Sequence, residues 1–210
     1  MSDFERRLKG KSLLIFDLDG TLVDSSPIHA RAFSDAFAPL GIAVDYGTIS
    51  GMTTVSAIDQ LLARAGQDRP AEEREQLRLA KQQRALALMD EELRPVPGAV
   101  DFVAAARRHF ACALCTSASP GSARSALARV GMDGWFSPVV TSADVRNGKP
   151  DPEGFLLAAA RAGVEPARAL VFEDSESGLA AARAAGMDAV AIGPDTPGWP
   201  ELLATLESSR

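Results

Sequence analysis

The feature that most constrains the fold of this chain is a pair of aspartates at the end of a short apolar run. The run occupies residues 13–16 and predicts a buried strand over residues 11–17. Asp17 and Asp19 lie where that strand ends, and Gly20 lets the backbone turn sharply after them. Carboxylates about 4 Å apart repel each other by roughly 4 kcal/mol at an effective dielectric constant of about 20. The pair therefore requires a cation, a shared proton, or both.

Three interpretations of this aspartate pair compete. A calcium loop of the EF-hand type needs one more acidic or amide residue before its glycine, and here Gly20 directly follows Asp19, so that register fails. A solvated turn after an edge strand is the purely structural interpretation. The third is a nucleophilic aspartate with an acid/base partner, and the rest of the chain favours it.

Short apolar runs alternate with helical segments from residue 96 onward, a pattern typical of a parallel sheet with helices on both faces. The predicted strands lie at residues 11–17, 110–115, 138–141, 169–172 and 187–192. The predicted helices between and after them lie at residues 120–130, 152–162, 175–185 and 200–208.

The segment over residues 25–95 differs, because it contains three predicted helices and no predicted strand. The helices lie at residues 28–40, 55–65 and 71–89. The third is rich in Ala, Leu, Gln, Arg and Glu, which are strong helix formers. We therefore predict an α/β core built from residues 1–24 and 96–210, interrupted by an all-helical domain over residues 25–95.

Charge and hydropathy exclude several kinds of partner. The 210 residues carry a formal net charge of −6, and their Lys and Arg residues are scattered, so we expect no nucleic-acid partner. No apolar stretch approaches the roughly 18 residues of a membrane helix, and the first residues lack the apolar centre of a signal peptide. We expect no membrane partner, a cytoplasmic location, and a monomer or weak dimer.

The two cysteines, Cys112 and Cys115, form a C-x-x-C pattern that could indicate a zinc or redox site. A zinc site would need two further ligands, and the chain has only two histidines. Both cysteines fall inside an apolar run, and a strand there would point them to opposite faces. We predict two buried thiols that act as small apolar side chains.

Polar residues follow four of the five predicted strands. Ligands of such sheets bind at the carboxyl ends of the strands. The residues at those ends are Asp17 and Asp19, Thr116 and Ser117, Lys149, and Glu173 with Asp174. We expect all four groups to contribute to one site.

These four motifs, in this order, resemble those of the haloacid dehalogenase superfamily of phosphotransferases, and the resemblance covers nearly the whole chain. The helical insert resembles the cap of the subgroup that holds phosphoglycolate phosphatase, small sugar phosphatases and β-phosphoglucomutase. The resemblance implies a Rossmann-like parallel sheet of strand order 5-4-1-2-3, with the cap domain inserted after the first strand.

The resemblance also implies catalytic roles that suit the chemistry of the residues. Asp17 would attack phosphorus and form an aspartyl phosphate. Asp19 would protonate the leaving oxygen and then accept a proton from water. Thr116 would donate its hydroxyl to the phosphoryl group, with the backbone amides of Ser117 and Ala118 beside it at a helix N-terminus.

A magnesium ion and a lysine complete the implied site. Mg²⁺ suits a site of hard oxygen ligands. The implied ligands are Asp17, the backbone carbonyl of Asp19 and Asp174, with Glu173 at the border of the coordination shell or within it. Lys149 would neutralise the phosphate and the nucleophile together.

The reaction class follows from departures from other members of the superfamily. Dehalogenases lack an acid at the position of Asp19, and phosphonatases use a cap lysine that the loop over residues 50–55 does not contain. β-Phosphoglucomutase is the closer alternative, because His29 matches one of its residues. Its cap-loop arginine is replaced here by Thr54. We predict a phosphatase, with a mutase and phosphoglycolate phosphatase as alternatives.

The insert supplies the candidate contacts to the substrate, which we predict to be a small phosphorylated metabolite such as a sugar or polyol phosphate. Thr53 and Thr54 belong to a polar, uncharged loop that suits hydroxyl groups. Lys81 could contact a phosphate, although a lysine on such a helix is more often solvated. His29 could touch the substrate, order Asp19, or lie on the surface.

Overall fold

The computed structural model describes residues 2–49 and 52–208, and it divides into two compact units. Met1–Asp24 and Arg94–Arg210 form the first unit, and Ser25–Leu93 form the second. Ser50 and Gly51, part of the polar loop singled out in the sequence, lie outside the described residues.

A parallel sheet organises the first unit. Its strands are β1 (Leu13–Phe16), β2 (Ala111–Cys115), β3 (Val139–Val140), β4 (Ala169–Glu173) and β5 (Asp188–Ala191). They pair in the order β3-β2-β1-β4-β5, which confirms the predicted order 5-4-1-2-3. β1 is the central strand, and all four of its residues are buried.

Six α-helices in the described part of the first unit lie before, between and after these strands. They are α1 (Asp3–Leu8), α5 (Ala99–Ala106), α6 (Pro120–Arg129), α7 (Glu153–Ala162), α8 (Glu176–Ala184) and α9 (Trp199–Ser208). The side chain of Ser119 caps α6 by accepting a bond from the Ser122 amide, and Pro120 occupies the first turn. The side chain of Ser175 caps α8 in the same way. Serine at these strand-to-helix turns therefore fixes where α6 and α8 begin.

Two helices, α1 and α5, were not predicted from the sequence. α1 has six residues, too few for a helical period to emerge, although Ser2 and Glu5 form a capping box at its start. α5 reads AVDFVAAA and is almost wholly apolar, so it shows no polar face that would reveal the period of a helix.

Side chains along β1 point alternately to the two faces of the sheet, and each face packs against its own part of the core. Phe16 faces an aromatic cluster and stacks on Phe172 with ring centroids 4.9 Å apart. Phe102 and Trp199 complete this side, with their centroids 4.8 Å apart. Ile15 faces the other side, which is rich in alanine. Each buried large side chain contributes about 1.5–3 kcal/mol, so both faces hold the end of β1 firmly in place.

The second unit is entirely helical in its described part. It contains α2 (Ser26–Phe37), α3 (Thr54–Arg64) and α4 (Ala71–Glu92), with short 3-10 turns at Ala38–Leu40 and Tyr46–Thr48. α2 and α3 share an apolar core that includes Phe33, Phe37, Ile58, Leu61 and Leu62. The prediction of a helical insertion after the first strand is therefore confirmed. Within residues 2–49 and 52–208, no helix is both long enough and apolar enough to traverse a bilayer.

Candidate active site

A buried ion-pair cluster lies at the carboxyl edge of the sheet. The Lys149 ammonium donates to Asp17 Oδ1 at 2.5 Å and to Glu173 Oε2 at 2.7 Å. Its third bond goes to the carbonyl oxygen of Cys115 at 3.2 Å. The side chains of Lys149, Asp17 and Glu173 are only 11%, 8% and 2% exposed. The ends of β1, β2 and β4 therefore meet around one lysine.

The surroundings of Lys149 keep it charged. Burial alone would lower its pKa, but the charges of Asp17 and Glu173 outweigh burial and raise the pKa above its ordinary value. The ring of Phe155 lies 5.1 Å from Nζ, which adds a cation–π contact. An ammonium with all three donors engaged is a fixed positive charge.

The surroundings of Asp17 favour its neutral form. Burial raises its pKa well above the ordinary value, and the charges of Glu173 and Asp19 add to the rise, while Lys149 opposes it. A carboxylate nucleophile must be ionised, so a further positive charge beside Asp17 would favour its reactive form.

Glu173 has both carboxylate oxygens occupied. Oε2 accepts from Lys149, and Oε1 accepts from the hydroxyl of Ser175 at 2.6 Å and from its amide at 3.2 Å. Gly178 lies so close that a Cβ there would overlap the Glu173 side chain. Ser175 and Gly178 thus fix the carboxylate that orients the lysine, a role that the sequence did not reveal.

Asp174 is held by the turn after β1. Thr21 donates its hydroxyl to Asp174 Oδ1 at 3.2 Å, and the indole of Trp199 donates to the Thr21 carbonyl at 3.0 Å. Gly20 has φ +81°, and a Cβ there would collide with the Asp174 carboxylate. Desolvation and the charge of Glu173 raise the pKa of Asp174 to about 6. The Gly-Thr pair after the two aspartates was the available signal for these contacts.

Three carboxylates form a donor set for a metal ion. Asp17, Glu173 and Asp174 each offer an oxygen, and these atoms all lie within 4.8 Å of one another. Hard oxygen donors suit Mg²⁺, Ca²⁺ or Mn²⁺. Together with the Lys149 ammonium, the three carboxylates leave two negative charges, which a divalent cation would balance. The residues therefore fit a hard divalent ion; the predicted contribution of the Asp19 carbonyl stays a prediction.

Thr116 presents a hydroxyl at the end of β2. The side chain is buried, and its Oγ1 accepts a bond from the Ala118 amide at 3.0 Å, which leaves the hydroxyl hydrogen to donate elsewhere. The Ala118 amide is thus engaged in orienting Thr116 in this conformation. Contacts of the Ser117 and Ala118 amides with a phosphate stay predictions, and Ser117 is exposed.

The predicted contacts from the insert lie in the second unit. Lys81 Nζ lies 3.4 Å from His29 Nδ1 and 4.8 Å from the centroid of the Phe33 ring. Lys81 is only 8% exposed, so the alternative of a solvated lysine is wrong: its stem and charge pack against α2. Thr53 caps α3 through the Ser56 amide, and Thr54 begins that helix. Contacts of these four residues with substrate stay predictions.

Both cysteines behave as the sequence predicted. Cys112 and Cys115 are free and buried, and burial raises the pKa of each thiol to about 12. A buried thiol with a raised pKa is mostly protonated at neutral pH and is a poor nucleophile, in keeping with the predicted role as a small apolar side chain.

This chain is similar to several known proteins. A family model described as a haloacid dehalogenase-like hydrolase matches residues 11–186. Fructose-1-phosphate phosphatase YqaB of Escherichia coli (strain K12) is 34% identical over 184 residues, which cover 85% of this chain and 95% of that protein. Hexitol phosphatase A of the same strain is 32% identical over 209 residues, covering 96% and 92% of the two chains. The crystal structure of CbbY from Rhodobacter sphaeroides in complex with phosphate has a TM-score of 0.74 and 29% identity, covering 88% and 87%.

Proposed function

The chain belongs to the haloacid dehalogenase-like hydrolase family and is a phosphatase, and we propose that it hydrolyses a small sugar or polyol phosphate with Mg²⁺ as its cofactor. The family resemblance drawn from the four motifs is confirmed. One observation carries the proposal: Lys149 bridges Asp17 and Glu173 beside Asp174. This cluster combines a carboxylate nucleophile, a fixed ammonium and a donor set for a hard metal, which together suit phosphoryl transfer to a carboxylate.

The first step is attack by Asp17. A carboxylate oxygen of Asp17 forms a bond to phosphorus, and the bond between phosphorus and the sugar or polyol oxygen breaks. Asp19 gives its proton to that leaving oxygen, so the alcohol departs neutral and an aspartyl phosphate remains. Asp19 lies two residues after Asp17, and its charge adds to the raised pKa of Asp17, which supports this pairing.

The second step is hydrolysis of the aspartyl phosphate. A water oxygen bonds to phosphorus while Asp19, now ionised, accepts the water proton. The bond between phosphorus and Asp17 breaks, and inorganic phosphate leaves. The nucleophile is thereby regenerated as a carboxylate.

Positive charge in the site lowers the repulsion between the Asp17 carboxylate and the phosphate group of the substrate. Lys149 offsets the charge of Asp17, and the proposal assigns the Thr116 hydroxyl as a donor to the phosphoryl group. Asp17 and Asp174 would hold Mg²⁺, with Glu173 next to it. Bound there, the ion would supply the positive charge that keeps Asp17 ionised and would offset charge on the phosphoryl oxygens.

The substrate class is supported by relatives and by the insert. The two curated relatives are named as phosphatases of fructose 1-phosphate and of hexitol phosphates. Thr54 stands where a mutase would carry the arginine that grips a second phosphate, which favours hydrolysis over transfer between two ends of a bisphosphate. We propose His29, Lys81 and the polar Thr53 as contacts to the phosphorylated polyhydroxy substrate.

The test is phosphate release from a panel of sugar, polyol and small-acid phosphates, with and without Mg²⁺. The panel includes β-glucose 1-phosphate with catalytic glucose 1,6-bisphosphate, and the control is Asp17→Asn. Metal-dependent release from hexose or hexitol phosphates by the wild type alone would support the proposal. Glucose 6-phosphate formed with little free phosphate would identify a mutase, and preference for phosphoglycolate would overturn the sugar assignment.

A further inference from the structure

Lys149 lies on a segment without helix or strand. β3 ends at Val140 and α7 begins at Glu153, and we refer to the chain between them, residues 141–152, as the lysine segment. An irregular segment of this length has many conformations. Since the Lys149 ammonium must reach Asp17 within hydrogen-bond distance, other groups must hold the lysine segment in one shape.

The Glu153 carboxylate accepts hydrogen bonds from two consecutive backbone amides of the lysine segment. Its Oε1 accepts from the Arg146 amide at 3.1 Å, and its Oε2 accepts from the Asn147 amide at 3.0 Å. The amide of Glu153 itself donates to Asp151 Oδ1 at 2.9 Å. A side chain needs two acceptor oxygens in a fork to satisfy adjacent amides in this way, and a carboxylate has them.

A second carboxylate fastens only the start of the lysine segment. Asp144 Oδ2 accepts from the amide and hydroxyl of Thr141, at 2.9 and 2.8 Å, and Oδ1 accepts from Arg161 of α7 at 2.8 Å. These bonds close a turn over residues 141–144. The backbone from residue 145 to Lys149 is not included in them, so the side-chain bonds nearest to the lysine on its N-terminal side are those of Glu153.

We propose that Glu153 is a positioning residue for the catalytic Lys149. It touches no reacting atom, and it acts by fixing the backbone two and three residues before the lysine. The same first turn of α7 carries Phe155, whose ring lies 5.1 Å from Lys149 Nζ, so one turn holds both the backbone and the ammonium. The two amide bonds lower the pKa of Glu153, which keeps both oxygens available as acceptors at neutral pH.

The test compares Glu153→Gln with Glu165→Gln, and its kinetic arm rests on the proposed phosphatase activity. Glutamine keeps the size of the side chain but offers one acceptor oxygen and points an amide NH2 at a backbone N–H. Glu165 follows α7, and its side chain makes no hydrogen bond to the lysine segment within residues 2–49 and 52–208, so its substitution removes the same charge harmlessly. We expect kcat of Glu153→Gln to fall about 10- to 100-fold, the scale for misplacing a catalytic group by up to about 1 Å. KM and the control should change little.

A second readout is independent of turnover. Acetylation of Lys149 by acetic anhydride, followed by peptide mass spectrometry, reports how firmly the ammonium is held. We expect Lys149 to react faster in Glu153→Gln than in the wild type or in Glu165→Gln. A folded Glu153→Gln protein with wild-type kcat and unchanged acetylation would overturn the proposal, as would lost activity with unchanged acetylation. If Glu153→Gln does not fold, Glu153→Asp keeps two acceptors on a shorter stem and takes its place with the same expectations.

If the wild type hydrolyses nothing in the panel, the proposed function fails while acetylation still tests the role of Glu153.

Discussion

Replacing Lys149 by methionine should destabilise the first unit far more than the same replacement at Lys11. The two lysine side chains are almost equally buried, at 11% and 6% exposure. Their partners differ: Lys149 neutralises Asp17 and Glu173, which are 8% and 2% exposed, whereas Lys11 pairs with Asp188, which is 55% exposed. The comparison therefore isolates the loss in free energy of unfolding when buried carboxylates are left without a positive partner.

The expected magnitudes follow from what remains after each substitution. Breaking a buried ion pair by removing one partner costs about 3–5 kcal/mol, because the charge left behind is uncompensated. At Lys11 the stranded carboxylate of Asp188 is hydrated, so the lost pair should cost about 0–1 kcal/mol. The loss of stability caused by Lys149→Met should shrink as pH falls. Asp17 already has a raised pKa, and loss of the ammonium raises that pKa further. The Asp17 carboxylate of the variant is therefore neutralised by protonation in acid.

Urea unfolding with a metal chelator present measures this difference directly. Both tryptophans, Trp135 and Trp199, belong to the first unit, so indole fluorescence reports on that unit. We expect the free energy of unfolding of Lys149→Met to lie several kcal/mol below that of Lys11→Met at neutral pH. Equal losses for the two variants, or a Lys149→Met penalty that grows toward acid pH, would refute the argument that Lys149 compensates buried negative charge.

Three further outcomes follow from the site. Asp17→Asn should abolish phosphate release while leaving the fold intact, measured with the substrate panel and by circular dichroism; retained turnover would exclude Asp17 as the nucleophile. Thr21→Val removes the hydroxyl that donates to Asp174, so it should weaken Mg²⁺ binding about 10- to 100-fold. Calorimetry measures this affinity, and Thr205→Val on α9 is the control that should bind Mg²⁺ as the wild type does. Hydrogen bonds from Thr141 and Arg161 lower the pKa of Asp144, so its contribution to stability should be present at neutral pH and lost as pH falls below its ordinary value of 3.8. The stability gap between wild type and Asp144→Asn should therefore close in acid, and a constant gap would contradict this account.

The sequence predicted the sheet and the meeting of Asp17, Lys149, Glu173 and Asp174 for a simple reason. Each residue follows a short apolar strand, and parallel strands bring their carboxyl ends to one edge. The pattern of strands and helices is local in the chain, so the order of elements could be read without knowing any distant contact. The family resemblance then supplied the order of the strands within the sheet.

The contacts that the sequence did not predict depend on how side chains are directed in the folded chain. The bonds of Thr21 to Asp174 and of Glu153 to the amides before Lys149 come from side chains whose direction no local pattern reveals. Lys81 was predicted as a candidate phosphate contact, with a hydrated surface lysine as the alternative. Its burial beside Phe33 becomes visible only once α2 and α4 are packed together.

The central place of β1 has a consequence for the order in which the protein can become active during synthesis. β1 is made early, yet Leu13 pairs with Ala111 on one side and with Ala169 on the other, so its neighbours are made much later. The whole second unit leaves the ribosome before either neighbour exists, and it can collapse on its own helical contacts first. Long-range pairing of this kind slows folding. Asp17 therefore stays without Lys149, Glu173 and Asp174 until residue 174 has emerged, so under the proposed function a nascent chain has no complete site.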